Sequence, residues 1–109
     1  MATIKEYFQV ALREEATDIY FSVGSPPFLK INGALKPLQR QENLNKAKIA
    51  GLAREILSSE KWAEFESRGE LIDARTIRGM GRLRIVLANE RKGPCMVCRL
   101  IPLKIPEFD

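Results

Sequence analysis

The sequence predicts an α+β fold with helices laid on an antiparallel sheet, and three observations carry that prediction. Helical apolar spacing occupies the start and the middle of the chain. An Asn-Gly pair separates two short β-forming runs, and after residue 70 the apolar period changes from 3.6 to 2. With 109 residues, 45% of them apolar, the chain suits one domain with its own core.

Thr3-Ile4-Lys5-Glu6 has the spacing of a capping box, and Ile4, Phe8, Ala11 and Leu12 recur on one face with Tyr7 beside them, predicting a helix over 4–15. Asp18-Ile19-Tyr20-Phe21-Ser22-Val23 is rich in β-formers and is stopped by Gly24-Ser25-Pro26-Pro27. Phe28–Ile31 and Ala34–Leu38 flank Asn32-Gly33, which supplies the two positive-φ residues of a tight hairpin. Pro37 has no N–H for a ladder, so the second arm ends there or lies at an edge.

Asn45 is placed to cap a helix with the stripe Ile49, Leu52, Ala53, Ile56 and Leu57. Ser59 is placed to cap a shorter helix carrying Trp62 and Phe65 and closed by Gly69. Their spacing puts Trp62 in the core with Phe65, an exposed docking aromatic being the alternative. Leu71–Ile77, Arg82–Asn89 and Cys95–Ile101, separated by turns at Arg78-Gly79-Met80-Gly81 and near Lys92-Gly93, predict a three-stranded meander. Pro102 and Pro106 bracket an extended exit, so the domain is expected to span 1–102 and a linker to begin at 103–109.

Composition excludes much chemistry. There is no His, which removes Ser-His and Cys-His nucleophile pairs and the commonest metal ligand. Cys95 and Cys98 form a Cys-x-x-Cys, but on a strand positions i and i+3 face opposite ways, so two packed thiols are expected in place of a zinc or redox site. No G-x-x-x-x-G-K-[ST] loop is present to cradle a polyphosphate. Glu14, Glu15, Glu64 and Glu66 sit beside Arg13 and Lys61 on helix faces, the ordinary pattern of solvated charge. No apolar run reaches the roughly 18 to 20 residues that span a bilayer, and the start is no secretory signal, so the cytoplasm is the expected location.

Charge is uneven along the chain. Residues 1–69 hold ten bases and nine acids, whereas 70–104 hold eight bases and three acids, so an anionic partner is expected to meet the second half. Arg82 and Arg84 share a strand face, with Leu83, Ile85 and Leu87 on the other, and Arg99 in the next strand is flanked on its own face by Val97 and Ile101. Two readings of the three arginines stay open: a solvated basic face, or a clamp whose planar forks grip phosphate oxygens.

Two segments carry a resemblance. Ala16-Thr17-Asp18-Ile19-Tyr20-Phe21-Ser22-Val23-Gly24-Ser25-Pro26-Pro27-Phe28-Leu29-Lys30-Ile31-Asn32-Gly33 resembles the amino-terminal signature of the PilT-like twitching-motility ATPases of type IV pili, within the type II/IV secretion superfamily. Gly79-Met80-Gly81-Arg82-Leu83-Arg84, continuing through Val97-Cys98-Arg99-Leu100-Ile101-Pro102, resembles that family's G-x-G-R-F-R and V-x-R-x-I-P stretches. The chain departs from the family pattern at Tyr20, where a His is usual, at Val86, where an Asn is common, and at Ala88, which replaces an aromatic.

The resemblance implies a PAS-like domain, helices on a six-stranded antiparallel sheet, ahead of a RecA-like motor domain that carries the phosphate loop. It implies a cytoplasmic homo-hexamer at the inner-membrane pilus machinery, powering retraction, with assembly or secretion motors as the nearer alternative. It further implies that Arg84 and Arg99, with Arg82 nearby, reach nucleotide held by the motor domain, and that ATP and magnesium belong to that partner. The domain alone is then expected to hydrolyse no ATP, to hold no metal, and neither to enter a membrane nor to bind nucleic acid. Two other classes stay in view: a ligand-sensing PAS module built round a small-molecule cavity, and a nucleic-acid binder, for which Phe8, Phe21, Phe28, Trp62 and Phe65 mostly fall on expected core faces.

Overall fold

A computed structural model describes residues 3–39, 41–79 and 81–102. Its elements are α1 (Ile4–Arg13), β1 (Asp18–Ser22), β2 (Phe28–Ile31), β3 (Ala34–Pro37), α2 (Lys46–Ile56), α3 (Ser59–Arg68), β4 (Glu70–Ile77), β5 (Gly81–Glu90) and β6 (Gly93–Pro102). The linker expected at 103–109 lies outside the described residues.

Local chemistry sets the helix ends. Thr3 Oγ1 accepts the Glu6 N–H at 3.3 Å while the Glu6 carboxylate accepts the Thr3 N–H at 3.3 Å, so the expected capping box is complete. This helix stops at Arg13, short of the expected residue 15. Glu15 adopts a left-handed φ of 58° and the Ala16 N–H returns to Ala11 O at 2.8 Å, which turns the chain into β1. Asn45 caps α2, accepting the Lys48 N–H at 2.8 Å. The cap of α3 is Ser58, whose Oγ accepts the Lys61 N–H at 3.2 Å, and Ser59 is the first helical residue instead. Leu57 is buried in extended conformation directly before it, so the chain enters α3 one residue earlier than the sequence suggests.

The six strands form one antiparallel sheet in the order β3-β2-β1-β6-β5-β4. The hairpin β2–β3 turns at Asn32-Gly33 with φ values of 50° and 81°, and Pro37 closes the edge strand β3, both as expected. The meander β4–β5–β6 also stands, although Gly93 opens β6 and does not sit in the turn before it. A side chain could not replace Gly93: its φ is +138°, and a Cβ there would lie 2.8 Å from Lys46 Cγ and 3.1 Å from Val23 Cγ2.

Period-2 alternation gives the sheet two unlike faces. One row of the covered face runs Leu71, Leu87, Met96, Phe21 across β4, β5, β6 and β1, and the next runs Ile85, Cys98, Ile19, Leu29. Onto these rows α1 and α2 lay Phe8 and Ile49, each 1% exposed or less, and the Tyr7 ring meets Phe21 edge-on at 5.5 Å. Trp62 is only half-buried, tilted on Phe65 at 5.3 Å. The three-residue step puts Phe65 in the core and Trp62 at its rim. Arg75 Nη1 donates to Ile56 O at 2.7 Å, satisfying a carbonyl at the end of α2.

Cys98 is buried in the covered face and Cys95 is half-buried on the other, as strand geometry requires, and both are free thiols. Burial pushes the Cys98 thiol far up from its ordinary value. It keeps its proton at pH values where an unfolded cysteine has lost it, so its contribution to stability is present at neutral pH and fades as pH climbs above about 9. A thiol reagent at pH 8 is expected to modify Cys95 within minutes and Cys98 only on unfolding in urea. In urea melts, Phe21→Ala should cost about 3–5 kcal/mol through the cavity it leaves. Ile72→Ala, at a 64% exposed position, should stay within about 0.5 kcal/mol.

Candidate anion site on the open sheet face

The face turned away from the helices carries Asp18, Lys30, Arg82, Arg84 and Arg99, whereas Arg75 stands on the helix side and reaches Ile56. Lys30, Asp18, Arg99 and Arg84 form one row across β2, β1, β6 and β5, each directly opposite the next. Arg84 and Arg99 thus stand side by side on central strands, both exposed, and Arg82 follows on the same face of β5 opposite Ile101 and Thr76. All three arginines predicted from the sequence emerge on one face. Beside the charged row runs an apolar one, Phe28, Tyr20, Val97, Val86 and Ile72. A shallow hollow of about 450 Å³ opens between Ile72, Ala74, Arg82, Arg84 and Ile101.

Local structure explains why these guanidiniums stand where they do. Alternation sends Leu83, Ile85 and Leu87 into the core, each 2% exposed or less, so the intervening Arg82 and Arg84 must face outward. On β6 the Leu100 N–H donates to Thr17 O at 2.9 Å, which makes Asp18 and Arg99 a non-hydrogen-bonded cross-strand pair, the kind whose side chains approach more closely.

Asp18 was missed as a site residue by sequence reasoning, which took it only as the start of a strand. The signal available was a carboxylate opening a β-forming run, a position where Asp is disfavoured. It is 3% exposed although its face is open, and Arg99 Nε lies 3.5 Å from its Oδ1, with 59% of the arginine side chain still exposed. Phe28 also departs from expectation: it lies half-buried on the open face opposite Tyr20, because β2 buries Leu29 in the core and alternation turns its neighbour outward.

A second hollow, about 350 Å³, lies between α1 and α2 over Tyr7, Leu44, Ala47 and Leu52. The polar groups at its rim are engaged within the chain. Tyr7 Oη donates to Gln41 Oε1 at 3.2 Å, Lys48 Nζ reaches Glu42 Oε2 at 2.8 Å, and Glu55 Oε1 accepts the Ile4 N–H at 3.3 Å. Such a cleft offers mainly apolar area, and Tyr7, Lys48 and Glu55 at its rim are already engaged with neighbouring groups of the chain. Among the described residues no group of three or more Cys, Asp or Glu could hold a metal ion, and no helix is long and apolar enough to cross a membrane.

A six-stranded antiparallel sheet with three helices is a fold that this chain shares with solved secretion ATPases. The crystal structure of the pilus retraction motor PilT with bound ADP superimposes on the chain with a TM-score of 0.88 at 27% identity, covering 98% of this chain and 31% of that one. The X-ray structure of the Legionella pneumophila ATPase DotB shares the fold, with a TM-score of 0.76 at 18% identity over 97% of this chain and 31% of its own.

In sequence, the chain is 24% identical over 102 residues to the type IV pilus retractation ATPase PilT of Pseudomonas aeruginosa, covering 94% of this chain and 29% of PilT. It is 23% identical over 105 residues to the type IV pilus ATPase PilU of the same organism, covering 96% of this chain and 27% of PilU. No family model matches. The chain therefore spans less than a third of the length of these relatives, and over that span its sequence and fold match the N-terminal domain of PilT-like secretion ATPases.

Proposed function

We propose that this domain supplies Arg84 and Arg99, with Arg82 beside them, to the phosphates of ATP held by a RecA-like motor domain of the same or a neighbouring subunit. The protein is then a cytoplasmic hexameric motor working at the inner-membrane pilus machinery, of the retraction kind that drives twitching. ATP and magnesium are bound by the motor domain, and this domain contributes charge and contact surface. The observation that carries the reading is the direct cross-strand opposition of Arg84 and Arg99 on an exposed sheet face. The likeness to PilT, whose crystal structure holds ADP, supports it.

The physical logic is straightforward. Two guanidiniums held by the sheet repel each other until an anion lies between them, so a phosphate relieves strain as well as gaining bonds. Each charge-assisted hydrogen bond contributes roughly 1.5–3 kcal/mol, and its planar fork suits tetrahedral oxyanions. An arginine delivered to a transferring phosphoryl group can accelerate hydrolysis by about a thousandfold or more. The exposed Ile72 and Val86, in one row with the half-buried Val97 next to the arginines, give a motor domain something to pack on. Closure of that contact links nucleotide state to the arrangement of subunits.

In the protein that joins this domain to its motor domain, Arg84→Ala and Arg99→Ala are each expected to leave the ring assembled, by light scattering. They should lower ATP turnover by at least tenfold. Unchanged turnover in both variants would remove the arginines from the mechanism. Steeply salt-dependent binding of single-stranded RNA to the domain alone would favour the nucleic-acid reading instead.

A further inference from the structure

Arg84 and Arg99 need more than exposure to act together, since like charges on adjacent strands push each other's flexible side chains apart. The row they occupy holds three cations, Lys30, Arg99 and Arg84, and one anion, Asp18, standing between Lys30 and Arg99. Asp18 is buried, its Oδ1 has no hydrogen-bond partner, and its ionic neighbour is Arg99 Nε at 3.5 Å. A buried carboxylate with an unfilled acceptor is costly, so its retention beside an arginine asks for a reason beyond the fold.

We propose that Asp18 is a positioning residue that aims Arg99 at the phosphate. The proposal rests on the reading of Arg84 and Arg99 as phosphate contacts. By attracting the Nε side of the guanidinium, Asp18 leaves the two Nη groups as a free fork on the side of open solvent, next to Arg84. The attraction is unaligned and long enough to yield as the fork engages an anion. Lys30, the other cross-strand neighbour of Asp18, remains beside the carboxylate when Arg99 shifts.

The sign of the effect separates positioning from simple charge. Removing the Asp18 charge makes the row more positive, and by Coulomb attraction alone that strengthens its hold on a phosphate. Positioning requires the opposite. In the protein joined to its motor domain, Asp18→Asn is expected to lower kcat for ATP by at least tenfold with KM little changed. The double variant Asp18→Asn/Arg99→Ala should be no slower than Arg99→Ala alone, because Asp18 acts only through Arg99.

Raised or unchanged turnover in Asp18→Asn, or losses that multiply in the double variant, would overturn the proposal. The 109-residue chain provides a readout that needs no variant to fold. In nitrogen-15 spectra at fixed pH, the Arg99 Nε–H should exchange with water more slowly than those of Arg82 and Arg84. Equal rates for the three would also overturn it. Impaired Arg99→Ala with unimpaired Asp18→Asn sinks this inference alone, whereas unimpaired Arg84→Ala and Arg99→Ala sink the phosphate reading beneath it.

Discussion

The pairing of β1 with β6 holds this domain together. It joins the amino-terminal hairpin layer to the carboxy-terminal meander, so that strands from opposite ends of the chain become the middle of one sheet. On the covered face the same pairing sets Ile19 against Cys98 and Phe21 against Met96, all fully buried beneath α1 and α2. On the open face it sets Asp18 against Arg99. A slip of one residue would send the core side chains to solvent and separate that ion pair in the same step, so fold and site share one register.

Helices cover a single face, and that asymmetry leaves the other available for binding. An antiparallel sheet tolerates solvent on one side provided its residues alternate, and β5 does so strictly from Gly81 to Leu87. The open face is not merely polar, because Ile72 and Ile101 are exposed among the arginines. Apolar surface next to concentrated positive charge is poorly suited to isolation in water, and that is the ground on which the proposed contact with a motor domain rests.

The competing classes are weighed by the same geometry. A ligand-sensing module needs a cavity with unengaged polar groups, and the cleft between α1 and α2 has its rim groups committed to Gln41, Glu42 and the first turn of α1. A nucleic-acid binder needs exposed stacking aromatics beside its cations. Tyr20 and Phe28 stand on the open face, but both are half-buried, and Phe8, Phe21 and Phe65 belong to the core.

Much of this architecture is written in local order. The capping box at Thr3 and Glu6, the Asn32-Gly33 turn and the alternation of β5 each depend on residues a few positions apart, so the sequence alone determines them. That Arg82 and Arg84 face away from Leu83 and Leu87 follows from the same alternation. Spacing could not show that Asp18, 81 positions before Arg99, would stand opposite it, nor that Lys30 would close the row from the other side. Those neighbours are chosen by long-range strand pairing, whose register is fixed when the whole covered face is buried at once. The tertiary structure therefore decided which charges meet, while the sequence had already decided which side of each strand they would occupy.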